Sequence, residues 1–347
     1  MKFGIVGCGG IGTLHAELIA AMPERASLVA VADAIPAAAK ALGERYDAPA
    51  GSGVGDLCAD PAVEAISVCL PNGQHADAAV AALRAGKHVV VEKPIDVTLA
   101  AADRIIAAEQ AGDRTVTVIS QRRFQPAFAA VHAAAAAGRF GRLTYGSVHT
   151  TFWRPQEYYD SADWRGTWAG EGGGALINQG SHGLDLLVWM LGEPVTVSAV
   201  AANLAHERIE VEDTLTATIR FADGAVGTFA ATTAEYPGGT VRLEIGGDAG
   251  RAVVEHETLQ YLHTRDAEPL GTAEAAEDTA DQSAGAGADG DSSVDAAHAA
   301  QYRDFVDAVA TGRQPLIGTA DGRRTPAVML AAYESARHGG TPIEVAR

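Results

Sequence analysis

Three stretches of this 347-residue chain bring together residue types that do chemistry. The first is His88-Val89-Val90-Val91-Glu92-Lys93-Pro94, where an acid and a lysine follow directly on three β-branched residues. The chain has only four lysines (Lys2, Lys40, Lys87 and Lys93) against 22 arginines. Arginine keeps its proton near neutral pH, whereas a lysine releases one once its pKa is lowered. Lys93 is therefore a candidate for proton transfer or charge stabilisation; the plain alternative is a lysine that only caps a strand. The second stretch is Gly7-Cys8-Gly9-Gly10-Ile11-Gly12. Gly7 allows a tight turn, Gly9 lets backbone approach a pyrophosphate, and Gly12 lets a helix pack on the preceding strand. Gly10 and Ile11 open that helix, whose first N–H groups face the phosphates. Asp33 stands 21 residues beyond Gly12, the spacing of a carboxylate that holds ribose hydroxyls. The third stretch is Gly172–Asp185, in which Asn178, His182 and Asp185 fall at i, i+4 and i+7 of an expected helix and share one face. Histidine titrates near neutrality and suits proton transfer. The alternative here is a core histidine satisfied by Asp185.

Regular elements must position these groups. Lys2–Val6 reads as a short apolar strand, followed by a helix to about Ala21 and a second strand, Leu28–Ala32, ending at Asp33. Helix Pro36–Tyr46, strand Ala65–Leu70, helix Gln74–Ala85, the Val89–Val91 strand, helix Thr98–Ala111 and strand Thr115–Ile119 continue the alternation. Such repetition with right-handed crossovers predicts an α/β, doubly wound parallel sheet of the Rossmann type over residues 1–121. Pro71-Asn72 and Glu92-Lys93-Pro94 both close strands at the carboxyl rim, where open α/β sheets bind ligands. After Gln121 the pattern changes to helix Gln125–Ala137 and long alternating strands: Leu143–Trp153, Val195–Ala202, Thr214–Phe221, Ala225–Thr232, Val241–Ile245 and Ala252–Glu255. Alternation with hairpin turns predicts a mostly antiparallel sheet. Residues 122–347 are thus expected to form an α+β domain, completed by late helices Ala296–Ala310 and Asp321–Arg337.

The net charge of −18 argues against nucleic acid or an anionic membrane surface as a partner. Nine acids and no base fall between Asp266 and Asp295, in an Ala/Gly/Asp-rich segment expected to be a solvated, mobile insertion. Three widely spaced cysteines (Cys8, Cys58, Cys69) suggest neither a disulfide framework nor a metal site, and they fit a reducing cytoplasm. Neither a signal peptide nor a long apolar run is evident. The cofactor expected from Asp33 is NAD rather than NADP, because Ala34, Ile35 and Pro36 supply no cation for a 2′-phosphate.

Gly7–Gly12 with His15, Asp33, Pro71-Asn72 with His75, Glu92-Lys93-Pro94, the Gly172–Asp185 stretch and Tyr302-Arg303-Asp304-Phe305 together resemble the Gfo/Idh/MocA family of NAD(P)-dependent sugar and cyclitol oxidoreductases. The resemblance covers nearly the whole chain. It implies a Rossmann domain followed by a domain with an open-faced sheet that supplies substrate contacts and, commonly, the interface of a homo-oligomer. It also implies that Lys93 and His182 flank the reacting carbon, and that Pro71, Asn72, His75, Glu92 and Lys93 join the glycine loop and Asp33 around the cofactor. One departure stands out: many members carry aspartate where this chain has Asn178, and an amide orients a hydroxyl without taking its proton. The segment Trp153–Tyr159, with Trp164-Arg165-Gly166, resembles a sub-branch acting on sugars or nucleotide-linked sugars. Arg123, Arg154, Tyr158, Trp164, Arg165, Asn178 and Asp185 are the expected substrate contacts, for aromatic faces suit sugar rings and arginine holds anions. The reaction implied is hydride transfer between a secondary alcohol and nicotinamide. A glycosidase using bound NAD by transient redox elimination, or a cofactor-bound regulator without catalysis, are the alternatives.

Overall fold

The computed structural model of the chain describes residues 1–265, 267–270 and 292–347. Two compact units divide it: Met1–Gln121 with Gly290–Pro326, and Arg122–Asp289 with Ala327–Arg347.

In the first unit, strands β1 (Lys2–Val6), β2 (Ser27–Ala32), β3 (Ala50–Gly51), β4 (Ala65–Val68), β5 (His88–Val91) and β6 (Val116–Val118) form one sheet in the order β3-β2-β1-β4-β5-β6. Every pairing in it is parallel. Strand order reverses between β1 and β4, the position at which doubly wound sheets open a ligand crevice. All of β4 and Val89–Val91 of β5 are buried, which is why these strands are unbroken apolar runs rather than alternating ones. Helices α1 (Gly10–Ala20), α2 (Pro36–Tyr46), α3 (Val54–Ala59), α4 (His75–Arg84) and α5 (Leu99–Gln110) supply the connections. Pro36 starts α2 where a missing N–H costs nothing, and the Thr98 side chain accepts from Ala101 N–H to cap α5. Strand β3 and helix α3 are short and were not expected from the pattern. The helix Ser292–Thr311 also lies in this unit, with Tyr302 and Phe305 against Phe3 at ring-centroid distances of 5.7 and 6.3 Å. This corrects the expectation that it completes the second domain: its buried face (Tyr302, Phe305, Val306) matches the apolar face formed by β1 and α1.

In the second unit, β7 (Leu143–Thr151), β8 (Pro194–Ala202), β9 (Thr214–Phe221), β10 (Val226–Thr232), β11 (Val241–Gly247), β12 (Gly250–Glu255), β13 (Thr258–Thr264), β14 (Ala267–Leu270) and β15 (Ile343–Glu344) form a sheet ordered β14-β13-β12-β11-β7-β10-β9-β8-β15. Pairing is antiparallel except between β7 and β10. Helices α6 (Pro126–Ala136), α7 (Gln156–Asp160) and α8 (Ser181–Leu191) belong to it. Leu184, Leu186, Leu187, Met190 and Leu191 of α8 are buried, and Leu187 and Leu191 lie over Gly146 of β7 and Gly227 of β10. Any larger residue at those two points would push the helix off the sheet. Strand β14 and the start of the Ser292–Thr311 helix fall at the two ends of the acidic 266–295 stretch; the rest of it, on which the expectation of a mobile insertion falls, lies outside the described residues.

Candidate active site

The carboxyl rim of the parallel sheet carries the first group of residues. Gly7 adopts φ +95° and its Cα faces the Cys69 carbonyl, which a Cβ would meet at 2.3 Å; a Cβ on Gly12 would meet the Gly7 carbonyl at 1.9 Å. Both positions are thus closed to any other residue. Gly9 and Gly10 differ: a Cβ on either meets no atom within 4 Å. That open space fronts the first turn of α1, which has no side-chain cap, so its N–H groups are left for an anion. The carboxylate of Asp33 is fixed by two backbone donors, Cys8 N–H to Oδ2 at 2.6 Å and Ile35 N–H to Oδ1 at 2.7 Å. The glycine loop and the acid therefore form one unit. Burial, with the Asp33 charge beside it, pushes the Cys8 thiol up to about 11. The residues fit a dinucleotide: space for a pyrophosphate, donors to hold it and an anchored acceptor for the ribose. Among the described residues no group of His, Cys, Asp or Glu side chains is arranged to hold a metal.

Glu92 is buried, and both of its oxygens are engaged. Oε1 lies 3.0 Å from His15 Nε2, and Oε2 accepts the Lys93 N–H at 2.9 Å. Nδ1 of His15 lies 2.7 Å from Ser67 Oγ, 2.8 Å from Tyr302 Oη and 3.2 Å from Cys69 Sγ. Burial alone would lower the His15 pKa, but Cys69 and Glu92 outweigh it and push the imidazole up to about 10. Burial likewise works against the Glu92 carboxylate, yet the hydrogen bond and charge of His15, with His298 and Lys93, hold it well below its usual range. The pair thus tethers the end of β5, and with it the backbone of Lys93, to α1. Glu92 accordingly takes a positioning part. So does His75, whose buried ring lies 2.8 Å from the Pro94 and Leu70 carbonyl oxygens and ties the ends of β4 and β5 together. Pro71 and Asn72 keep the place expected for them at the rim, in the turn after β4, with Pro71 exposed and Asn72 half-buried. Lys93 is half-buried and precedes a cis proline.

The second unit carries the rest. Residues Leu176–Gly180 form a π-helical turn that leads into α8, so the α-helical spacing assumed for Asn178, His182 and Asp185 does not hold across it. Widened turns of this kind gather at functional sites. Glu212 stabilises this one, accepting the N–H groups of Gly174 and Leu176 at 3.1 and 2.9 Å and the Tyr333 hydroxyl at 2.9 Å. Burial raises the Glu212 pKa in spite of those donors. Asn178 donates through Nδ2 to Glu171 Oε1 at 2.6 Å and to Tyr158 Oη at 3.2 Å, and Glu171 also accepts the Gly166 N–H. His182 is half-buried in the first turn of α8. Asp185 is engaged by an arginine 62 residues away. It accepts from Arg123 Nε and Nη2 at 2.8 and 2.7 Å, a buried bidentate pair with Arg123 also 5.4 Å from the Trp189 ring. The two residues thus clamp each other inside the second unit. Tyr158, Arg154, Arg165 and Trp164 do come together: the Tyr158 ring lies 5.1 Å from the Arg154 guanidinium and 4.1 Å from that of Arg165, which also stacks on Trp164 at 4.7 Å. Glu171, Glu212 and Tyr333 were missed in the sequence: Glu171 stands just outside the Gly172–Asp185 stretch, and Glu212 and Tyr333 reach it only through the fold.

This fold and glycine loop define an NAD-binding oxidoreductase. Residues 1–120 match the NAD-binding Rossmann fold of the Gfo/Idh/MocA oxidoreductase family, and residues 128–253 match that family's C-terminal domain. The chain belongs to this family. Inositol 2-dehydrogenase of Rhizobium meliloti (strain 1021) is 30% identical over 266 residues, spanning 74% of this chain and 76% of the relative. Among solved structures, the WlbA dehydrogenase from Bordetella pertussis, in complex with NADH and UDP-GlcNAcA, is similar at TM-score 0.85 and 32% identity, over 100% of this chain and 99% of that one. Levoglucosan dehydrogenase, in complex with NADH and levoglucosan, is similar at TM-score 0.84 and 25% identity, over 100% and 99%.

Proposed function

We propose that the protein is a dehydrogenase that oxidises a secondary alcohol of a sugar, nucleotide sugar or cyclitol, with NAD preferred over NADP. When bound, the nicotinamide supplies the hydride acceptor. Gly7, Gly9, Gly10, Ile11 and Gly12 bind the pyrophosphate, Asp33 the adenosine ribose, and Pro71 and Asn72 the rim of the cofactor. His182 takes the hydroxyl proton and Lys93 stabilises the developing alkoxide. Asn178 orients the substrate, and Tyr158, Trp164, Arg154 and Arg165 contact it. The observation that carries this reading is the Glu92 carboxylate, one oxygen on His15 and the other on the Lys93 N–H, which places a lysine on the rim that holds the glycine loop and Asp33. The printed substrates of the relatives, inositol, levoglucosan and UDP-GlcNAcA, support the substrate class.

Residues 1–121 act in this reading as the cofactor domain, and the second unit supplies substrate contacts and a homo-oligomer interface. Tyr145 and Val226, paired across β7 and β10, and Val200 on β8 are exposed apolar residues that favour such an interface. Light scattering tests it. Three free cysteines favour a reducing cytoplasm, and among the described residues no helix is long and apolar enough to cross a membrane. The test of function is a screen of sugars, sugar acids, nucleotide sugars and cyclitols for NAD-dependent gain of absorbance. Sugar cleavage without accumulation of NADH would replace the dehydrogenase by the redox-assisted glycosidase.

A further inference from the structure

Among the described residues the buried charges have partners, with Arg154 as the exception. Arg123 has Asp185, Lys87 donates to the Asp60 and Val63 carbonyl oxygens, Glu92 has His15, and Asp213 has His206. Arg154 is only 9% exposed, and its Nε is buried with no hydrogen-bond partner among the described residues. The Nε of Arg165 is in the same condition. Neither guanidinium forms an ion pair among the described residues, and the acids nearby are engaged elsewhere: Asp160 with Arg208 at 2.7 Å, Glu171 with Asn178 and the Gly166 N–H. What the two arginines have is aromatic faces, Phe152 and Tyr158 for Arg154, Tyr158 and Trp164 for Arg165. A ring face offsets only part of the cost of taking a cation out of water. Two cations against one tyrosine ring also repel each other.

The backbone holds this arrangement in place. Arg154 donates its N–H to the Thr233 carbonyl at 2.9 Å, and its own carbonyl oxygen lies 2.7 Å from His206 Nε2, a ring fixed in turn by Asp213. Tyr158 lies beside Asn178, 3.2 Å from Oη to Nδ2. Two guanidiniums without counter-ions, adjoining the amide assigned to orient substrate, make a receptor for an anion. The planar guanidinium fork fits carboxylate and phosphate oxygens.

We infer that the substrate carries an anionic group, a carboxylate or a phosphate, bound between Arg154 and Arg165 beside Tyr158, and that neutral cyclitols and sugars are poor substrates. The inference rests on the dehydrogenase reading for turnover, but not for binding. Binding is therefore measured by itself, as the shift in melting temperature and by calorimetry of the NAD-saturated protein at fixed ionic strength. The probes are D-glucuronate, D-glucose 6-phosphate, UDP-glucose and, as the neutral control, myo-inositol. At least one anionic probe should bind, with about a ten- to hundredfold loss of affinity in Arg154→Gln and in Arg165→Gln. Comparison of the carboxylate with the two phosphate probes identifies the group. Without a probe, Arg154→Gln should melt no lower than wild type, because it removes a buried charge that has no partner; Arg154→Lys should keep part of the binding. In turnover, the same variants should raise KM for the anionic sugar more than they lower kcat. Anion binding that the variants abolish, with no sugar oxidised, would leave the inference standing and remove the dehydrogenase reading. Oxidation of myo-inositol unaffected by either variant, with no anion bound, would overturn the inference and leave the dehydrogenase. A markedly less stable Arg154→Gln, with wild type indifferent to every anion, would also overturn it by making the arginine structural.

Discussion

Replacing Asp33 with asparagine should largely abolish discrimination between NAD and NADP. In the folded protein the Asp33 oxygens accept the Cys8 and Ile35 N–H groups at 2.6 and 2.7 Å, and each oxygen keeps lone-pair capacity for a ribose hydroxyl. NADP replaces one hydroxyl donor with a dianionic phosphate. Two unit charges about 4 Å apart repel by about 1 kcal/mol in water and about 4 kcal/mol at the effective dielectric of a protein surface. The half-buried Asp33 lies between these limits. Loss of a hydrogen bond to a charged acceptor adds about 1.5–3 kcal/mol. Lys40 and Arg45, the cations of α2, offer no relief, since they pair with Glu44 and Glu17 at 3.7 and 2.9 Å. The preference for NAD should therefore be at least ~1.4 kcal/mol, about tenfold. The assay is titration of both cofactors against wild type, Asp33→Asn and Asp33→Ser at equal ionic strength. Because Asp33 also holds the glycine loop, both affinities should fall in the variants, and the informative quantity is their ratio. Equal or tighter NADP binding by wild type, or a ratio unmoved by either variant, would remove Asp33 from this role.

Lys93→Ala and Lys93→Arg should each lower turnover by about 10²–10⁴ while leaving NAD affinity nearly intact; an arginine variant of normal turnover would show that charge alone suffices. The His15–Glu92 pair should stabilise the fold most between about pH 4.5 and 6.5. His15 has a raised pKa, so its contribution is complete below 6.5 and lost as pH rises through about 10; the Glu92 pKa is lowered, so its contribution is complete above 4.5 and lost as pH falls further. Melting temperatures of wild type and Glu92→Gln across pH check this, and a difference that widens above pH 8 would contradict it. Arg123→Ala should cost about 3–5 kcal/mol in denaturant unfolding by taking the bidentate guanidinium from the buried Asp185, whereas Arg123→Met with Asp185→Leu should recover most of it; a single variant costing under about 1 kcal/mol would show the pair to be unimportant.

The parallel sheet was legible because local signals agreed with one another. Unbroken apolar strands, a glycine turn before α1 and an acid after β2 all state the same topology, so Asp33, Lys93 and the glycine loop were located without knowledge of any contact. The second unit was less legible. Its long alternating strands announced the sheet, but β14 and β15 are short edge strands of four and two residues, whose pairing depends on neighbours far along the chain. The π turn at Leu176–Gly180 left no periodic signature either. It depends on Glu212, which is 36 residues from the Leu176 N–H that it accepts. Side-chain partners were illegible for the same reason. Glu92, His75, Arg123 and Asp185 have the residue types of ligands, yet each is taken up by a partner that spacing does not indicate, such as the Arg123–Asp185 pair across 62 residues. A motif placed these residues on the rim or the helix. Only the fold decides which of them still has a hydrogen-bonding group to offer.

Asn178 bears most directly on the chemistry. Its amide nitrogen is engaged by Glu171 and lies beside the Tyr158 hydroxyl, so its side chain is held rather than adaptable. An amide neither accepts nor releases a proton in the accessible pH range, and Glu171 is buried with one oxygen on Asn178 and the other on the Gly166 N–H. The carboxylate nearest this position is thus already hydrogen-bonded on both oxygens, and its work is to fix the amide. In the proposed reaction the proton of the substrate hydroxyl is therefore assigned to His182 and the alkoxide to Lys93, not to Asn178. In that reaction Asn178 would set where the hydroxyl sits. Its replacement by aspartate would put a carboxylate oxygen where the amide nitrogen now lies 2.6 Å from Glu171 Oε1. Two carboxylates at that distance share a proton instead of ionising together, so the substitution that appears to restore the more common family residue would disturb this site.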